Sequence, residues 1–442
     1  MKHQFFYSYL KITITLLTIL FIQISNAQEK AITLQDAINS AKEKNRSILI
    51  ANQQLKAAQA DYNKSLGIIL PQLNVSHTAL ATNDPLNAFG FTLQQQHVSM
   101  ASFDPNKLNN PDRTEHYVSQ VQVLQPLINV DGIFYRNVAK NGLNARTSMA
   151  THTSNYTELE VKKVYGQLQL MYQLVEVYKA AEKTILEHKK MANNFFDQGF
   201  LKKNDLLEID IHVTDIQNQL QNAEKLVKDT SAYLNFLMGV ENFTTLKPTE
   251  KLELNTEKID LNGSLSTERS DLKAAQYGVD AQKSMYNASK MKFLPNINAF
   301  ANFNWADDEF LKTQSDSYMM GIRMSWDIFK GFQNVGEVQK QKAELKIAEL
   351  NLDTYITYSE MELETAKRQF INAENALQLS LLGKNHAEEA LKIRKNRFDQ
   401  GLEKTADLLN AETVYLQKQL AYLQAIFEYN FTISHLKFIQ NQ

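Results

Sequence analysis

An internal duplication constrains the fold of this chain more than any other feature. Two groups of residues recur in the same order but with different offsets. Phe196-Asp197-Gln198-Gly199 and Asp205-Leu206-Leu207 recur 202 residues later as Phe398-Asp399-Gln400-Gly401 and Asp407-Leu408-Leu409, and Leu70-Pro71 recurs 224 residues later as Leu294-Pro295. The first copy is therefore longer by 22 residues, and the stretch 83–115, rich in Asn, Asp and Pro, is predicted to form the extra loop. The 442 residues thus predict one duplicated unit rather than several unrelated domains.

Each copy predicts the same order of elements: a helix, two strands, a very long helix, a tight turn and a last helix. The Leu-Pro pair ends the first helix, because proline disfavours a helical conformation in the residue before it. Gly199 and Gly401 mark the turns, since glycine readily takes the left-handed conformation that ends many helices. Thr33, followed by Asp36, predicts the start of the first helix. The predicted helices cover residues 33–67, 133–196 and 204–238 in the first copy and 268–291, 333–397 and 406–439 in the second.

The strand segments alternate between apolar and polar residues, most clearly in 296–305 and 318–328. Period two places one apolar and one polar face on a strand. A soluble β-sandwich would bury the apolar face, but the flanking sequence supplies no further strands. A strand of this length, tilted by about 45°, spans the apolar band of an outer membrane, roughly 25 Å. We therefore predict that lipid contacts Ile297, Ala299, Ala301, Phe303, Trp305, Tyr318, Met320, Ile322, Met324 and Trp326.

Four strands per chain are too few to close a barrel alone. The first copy contributes two strands of weaker alternation, around residues 73–81 and 117–123. Single-chain outer-membrane barrels begin at about eight strands, and lipid tolerates no open strand edge. If these strands span a membrane, several chains must share one barrel.

The long helices predict extended packing along their sides. The stretch 133–196 would be roughly 95 Å long as one helix. In 206–237, apolar residues recur at steps of three and four, which is the seam of a coiled coil. Such helices suit a water-filled helical tube or an ordinary coiled-coil bundle, and periodicity leaves both open.

The first 27 residues resemble a secretory signal peptide. A basic start is followed by a short apolar run, and the small residues before Gln28 predict cleavage after Ala27. A membrane anchor is the alternative, although the run is short for a spanning helix. The chain has no cysteine, so we expect neither disulfides nor a lipid attached to cysteine. The predicted organisation is 1–27 signal peptide, 28–238 first repeat, 239–267 linker and 268–442 second repeat.

Composition and motifs point away from catalysis and nucleic-acid binding. The formal net charge of −2 gives no electrostatic reason to expect a nucleic-acid partner. The sequence contains no HExxH, GxSxG, Walker or GxGxxG motif. The nine histidines are scattered. We predict no active site, no metal site and no cofactor.

Taken together, these motifs resemble the TolC family of outer-membrane factors, in its Bacteroidetes-type form. The resemblance covers essentially the whole chain after the leader. The hairpin motif described above is one of its carriers. The other carriers are Leu70-Pro71 and Leu294-Pro295, Leu124-Gln125-Pro126-Leu127, Trp326-Asp327-Ile328-Phe329-Lys330-Gly331 and the loop run Pro85-Leu86-Asn87-Ala88-Phe89-Gly90-Phe91.

The resemblance implies a mainly α-helical fold with a small β part, in a homotrimer of the Gram-negative outer membrane. Three chains would each give four strands to a 12-stranded β-barrel, and their helical hairpins would form an α-barrel crossing the periplasm. The tube would dock on a periplasmic adaptor joined to an inner-membrane pump. The implied function is a passive exit duct for efflux or type I secretion.

The resemblance also places the hairpin turns at the periplasmic tip, where acidic residues narrow the entrance. The matching residues are Asp205 and Asp407, with Glu208 one turn further. A ring of like charges in a narrow pore would bind cations. Asp near a helix start is equally a favourable partner of the helix dipole, so both roles stay open. Asn410 and Glu403 depart from the family pattern at this tip.

Two rival functions follow from the same sequence. A soluble periplasmic coiled-coil adaptor or spacer would account for the helices, but not for two pairs of amphipathic strands. A helical enzyme would need a convergent polar site, and the sequence shows none.

Overall fold

The computed structural model describes residues 29–241 and 243–441, and the predicted signal peptide lies outside them. Both copies follow the predicted order of elements. The helices are α1 (Leu34–Lys44), α2 (Arg46–Lys64), α3 (Pro85–Gln94), α4 (Pro105–Asn109), α5 (Val130–Asp197), α6 (Lys203–Leu237), α7 (Ser270–Met291), α8 (Gln333–Asp399) and α9 (Thr405–Gln440). The strands are β1 (Lys30–Ile32), β2 (Gln72–Thr82), β3 (Thr114–Ile128), β4 (Leu246–Pro248), β5 (Asn296–Asp307) and β6 (Ser315–Ser325).

The chain divides into two compact units, and each takes segments from both copies of the duplication. The helical unit comprises the described residues up to 51, residues 151–269 and those from 358 on. The strand unit comprises residues 52–150 and 270–357. Packing therefore mixes the two copies rather than separating them.

The core of the helical unit forms where α1, α5 and α6 meet a small parallel strand pair. β1 pairs with β4, with Lys30 opposite Leu246. The buried side chains around this pair include Ile32, Ala37, Val161, Leu168 and Leu234. Apolar residues recur every three or four positions along each helix, so each helix turns one stripe toward this core.

The apolar stripe predicted along α6 is buried in the helical unit, and its assignment as a coiled-coil seam stays a prediction. The buried residues of this stripe include Ile209, Val213, Ala223, Val227 and Leu234, at steps of four to ten residues. Two polar residues that the apolar pattern missed are also buried, because they bind the segment before β4. Ser231 Oγ and Asn235 Nδ2 both donate to the carbonyl of Thr244.

The predicted helix 33–67 is wrong in one respect, since the chain breaks it at Asn45. The Asn45 side chain accepts hydrogen bonds from the backbone N–H groups of Ser47 and Ile48 and so caps α2. Its amide donates to the carbonyl of Leu237 at 2.8 Å. The predicted start at Thr33 is confirmed, because Thr33 Oγ1 accepts from the backbone N–H of Asp36.

The long helices follow their predicted ranges closely. The helices α5 and α8 contain 68 and 67 residues. At 1.5 Å per residue, each is roughly 100 Å long. Among the residues that the structure describes, no helix combines the length and the apolar character of a membrane span.

The strand unit contains one antiparallel sheet in the order β2-β3-β5-β6. Its register places the predicted apolar residues of neighbouring strands directly opposite each other. The opposed pairs are Phe303 with Tyr318, Ala301 with Met320, Ala299 with Ile322, Ile297 with Met324, Val121 with Phe303 and Leu73 with Val123. All of these side chains therefore share one face of the sheet. The outer edges of β2 and β6 pair with no other strand among the described residues.

Two details of the strand unit differ from the sequence prediction. β6 ends at Ser325, so Trp326 lies just beyond the strand, and its indole N–H donates to the carbonyl of Phe293 at 2.9 Å. The stretch 83–115 is not a bare loop, since it contains α3, α4 and a 3-10 turn (Met100–Phe103).

Candidate functional site

The two hairpin turns of the helical unit have the same backbone geometry. Gly199 and Gly401 have φ values of +79° and +72°, the left-handed region that favours glycine. In the first turn, the N–H of Gly199 donates to the carbonyl of Phe196 at 2.9 Å. In the second, the N–H of Gly401 donates to the carbonyl of Phe398 at the same distance. Each long helix therefore ends in a tight reversal, as the repeated motif predicts.

The three acidic residues near these turns have different surroundings. The carboxylate of Asp205 accepts from the backbone N–H of Lys202 at 3.0 Å, which satisfies a donor at the start of α6. In the described part of the chain, the side chains of Glu208 and Asp407 have no hydrogen-bond or ion-pair partner. The structure thus makes Asp205 a helix cap and leaves the carboxylate of Asp407 unengaged.

An apolar cluster holds the two turns at one end of the helical unit. Ile209, one turn beyond Asp205, and Leu409, two residues beyond Asp407, are both buried in it. The cluster is completed by Ile185, Ala192 and Val213, with Leu201, Leu206 and Ile216 partly buried around them. It joins α5 and α6 of the first copy to α9 of the second.

Glu403 organises the second turn, a role that sequence reasoning missed. Its carboxylate accepts from Arg394 Nη1 and from Arg397 Nε, both at 2.8 Å. The Glu403 side chain is largely buried, whereas the two arginines are about half exposed. The available signal was the pair of arginines that precedes the turn on the same side of α8.

A partly buried polar pair also connects the two copies. His188 Nε2 on α5 lies 2.7 Å from Glu412 Oε1 on α9. Glu412 also lines a cavity of about 420 Å³ with Ile185, His212 and Leu409. No motif marks this contact, because the two residues lie far apart in the sequence.

The apolar face of the sheet has no covering layer in the strand unit. Tyr318, Met320, Ile322 and Met324 are all more than half exposed. A contiguous exposed apolar surface of this kind marks a contact with lipid or protein.

The opposite face of the sheet is polar. Gln120 Nε2 donates to Asn304 Oδ1 at 2.8 Å across β3 and β5. Arg323 is the one Arg, Lys, Asp or Glu on this face of the four strands, and its guanidinium lies 5.1 Å from the ring centre of Phe300. Such a face suits contact with water.

The described residues contain no cluster of His, Cys, Asp and Glu that could hold a metal ion. The geometry offers two kinds of surface, namely an amphipathic sheet and a pair of helical turns with acidic residues.

Comparisons with known proteins give one family match and several structural likenesses. Residues 262–433 match the family described as outer membrane efflux protein. No curated protein matches the sequence. A membrane protein from Pseudomonas aeruginosa is 16% identical, with a TM-score of 0.79 and 92% of each chain covered. CusC, whose crystal structures concern transmembrane channel formation, is 13% identical, with a TM-score of 0.79 and 92% of each chain covered. The CmeC outer membrane channel of Campylobacter jejuni is 14% identical, with a TM-score of 0.78, over 92% of this chain and 85% of that one.

Proposed function

We propose that this chain forms an outer-membrane exit duct. Its residues 262–433 match the outer membrane efflux protein family, and its fold is that of outer-membrane channels. The family match and the shared fold confirm the predicted resemblance to the TolC family. The Bacteroidetes-type subdivision stays a prediction. The observation that carries the proposal is the open four-stranded sheet with one exposed apolar face. A soluble coiled-coil adaptor would not require an open sheet with an exposed apolar face.

The sheet itself argues for a shared barrel. No strand among the described residues pairs with its edges at β2 and β6, and the backbone donors and acceptors of these edges cannot stay unpaired in lipid. Pairing β6 of one copy with β2 of the next closes a ring, and three copies give 12 strands. The apolar face, which carries Ile297, Phe303 and Met324, then contacts lipid. The polar face, which carries Gln120 and Asn304, lines the lumen.

The duct acts as the outer part of a larger assembly. The chain is exported through its leader, is not a lipoprotein and forms a homotrimer. The trimer receives solutes from an inner-membrane pump through a periplasmic adaptor, in an efflux or a type I secretion system. Small molecules or proteins pass without chemical change, so the protein is not an enzyme.

Acidic residues at the hairpin turns constrict the periplasmic entrance. Asp407 is the strongest candidate, because its carboxylate has no protein partner among the described residues and is free to bind cations. The side chain of Glu208 likewise has no such partner, whereas the carboxylate of Asp205 already accepts a hydrogen bond from the backbone N–H of Lys202. The substitution Asp407→Ala should relieve the block of channel conductance by divalent cations in planar bilayers. Asp205→Ala is the matched control and should leave the block in place, while the start of α6 loses its cap. Equal block in wild type and Asp407→Ala would contradict this role.

Membrane fractionation with gel electrophoresis of unheated and heated samples tests the duct directly. We expect an outer-membrane protein that migrates as an oligomer until it is heated and that conducts ions in planar bilayers. A soluble periplasmic monomer without conductance would contradict the proposal and favour the adaptor.

A further inference from the structure

The insertion between β2 and β3 (residues 83–113) is fixed to the sheet by a buried amide. Gln95 Nε2 lies 2.8 Å from the carbonyl oxygen of Glu115 and 3.2 Å from that of Asp307. It also lies 3.2 Å from His116 Nδ1. Gln95 is only 4% exposed. One side chain of the insertion thus binds the ends of both β3 and β5.

Two further contacts reinforce this attachment. The ring of Phe91 in α3 stacks on His116, with centroids 4.1 Å apart and an angle of 8° between the planes. Ser315 Oγ, at the start of β6, donates to the carbonyl of Gln94 at 2.7 Å. His116, on which Phe91 stacks, is 1% exposed. The insertion therefore lies against three of the four strands rather than extending away from them.

The attachment uses the polar face of the sheet. His116 lies opposite Leu80, and Gln120 lies opposite Asn304. His116 and Gln120 are separated by an even number of residues on β3, so they share a face. Val121 and Phe303 lie on the other, apolar face.

The attachment also lies at one particular end of the strands. α2 precedes β2, and α5 follows β3, so the helices join the sheet at one end. The insertion and the short turn between β5 and β6 (residues 308–314) join the strands at the other end. If the helices extend into the periplasm, the insertion lies on the outer side of the membrane.

We propose that the insertion folds inward over the outer mouth of the duct, so that its three copies form a constriction that limits the size of solutes. This inference rests on the proposed function, because only a shared barrel turns the polar face into a lumen. Leu86, Leu93 and Met100 are exposed on the insertion and give the constriction an apolar rim. A narrow apolar rim opposes the passage of hydrated ions.

A first experiment exchanges one hairpin connection for the other. Residues 83–113 are replaced by the segment 308–314, which joins the equivalent strands of the second copy. Single-channel conductance and the largest polyethylene glycol that enters from the outer side are measured in planar bilayers. We expect conductance to rise at least twofold and larger polymers to enter.

Point variants keep the test decisive if the exchanged chain fails to assemble. Phe91→Ala combined with Gln95→Ala removes the stack and the buried amide, and should raise the conductance and the polymer limit as well. Phe89→Ala is the matched control, because that ring packs edge to face on Phe103 within the insertion.

The outcomes separate the two proposals. Unchanged conductance and polymer limit in the heat-dissociable oligomer of the double variant would overturn the constriction while leaving the duct intact. A wild-type protein that forms no channel would overturn the proposed function itself.

Discussion

The two hairpin turns of the helical unit occupy equivalent positions in the duplication, yet different interactions stabilise them. Glu403 binds Arg394 and Arg397 in the second turn. At an offset of 202, the same positions in the first turn hold only apolar residues. They are Leu201, Ala192 and Phe195. In the first turn Ala192 and Leu201 pack into the apolar cluster, whereas ion pairs hold the second turn. The two copies therefore share the backbone path but not the contacts that stabilise it.

The difference extends to the leucines after the turns. Leu207 is 53% exposed, whereas its equivalent Leu409 is 2% exposed. The reason is that Leu409 packs into the apolar cluster of the first hairpin, so α9 depends on the first copy at this point.

The largest effect should come from truncating the buried leucine. Leu409→Ala removes a fully packed side chain and should cost about 2–5 kcal/mol of stability. Leu207→Ala should change stability by about 0.5 kcal/mol or less. Thermal unfolding in detergent, followed by circular dichroism, measures both. Equal losses would show that the two turns are packed alike.

The ion pairs of the second turn should contribute less. Glu403→Gln weakens two ion pairs, each contributing about 0.2–1 kcal/mol because the arginines are about half exposed, and should expose the turn around Gly401 to limited proteolysis. Glu389→Gln is the control, since Glu389 makes only an exposed contact with Lys392 at 3.9 Å. Cleavage at the same rate in both variants would exclude a structural role for Glu403.

Replacing either turn glycine should cost the same stability, because the two turns have the same backbone geometry. Gly199→Ala and Gly401→Ala each place a side chain in the left-handed region, at a cost of about 1–2 kcal/mol. The space around both is open, so no clash adds to that cost. Asn at either position should be tolerated better than Ala. Hydrogen exchange of the flanking amides would reveal the effect, and a much larger loss at one glycine would show that the turns differ in backbone strain after all.

The smallest effect concerns an acid-dependent contact that only the first copy has. Burial alone would raise the pKa of Glu158, but hydrogen bonds from Lys162 and Lys42 lower the pKa overall. Its stabilisation is therefore present above about pH 4.5 and is lost as the pH falls through the lowered folded-state pKa. With both lysines partly exposed, each pair contributes about 0.2–1 kcal/mol.

The matched variants are Glu158→Gln and Glu360→Gln, since Glu360 is the exposed equivalent of Glu158. Unfolding between pH 3 and 6 should lose part of its pH dependence only in Glu158→Gln. The same change in both variants would assign the dependence to other carboxylates.

The sequence predicted the long helices and the sheet because their periodic patterns are extended. Alternation from Ile297 to Trp305 needs no tertiary information to be recognised. The insertion was predicted only as a loop, although its signals were local. Asp84 and Asp104 each cap a short helix that begins with proline, and such helices are too short to show periodicity.

Other features depended on the folded structure. Asn45 interrupts an apolar helical pattern because its amide binds the carbonyl of Leu237, 192 residues away. The candidate entrance residues were predicted as equivalent, but Asp205 caps a helix and Asp407 does not. The repeated motif sets the backbone around both residues, and neighbouring side chains decide the partner of each carboxylate.

The unpaired edges of β2 and β6 have a consequence for the dominance of mutant alleles. In the proposed ring, every copy supplies one edge to each neighbour, so one chain with a damaged edge breaks one of the three seams and leaves the ring open. If half of the chains carry such a defect and mix at random, most rings contain at least one of them. Substitutions that block pairing along β2 or β6 should therefore act as dominant alleles, whereas a simple loss of the gene should be recessive.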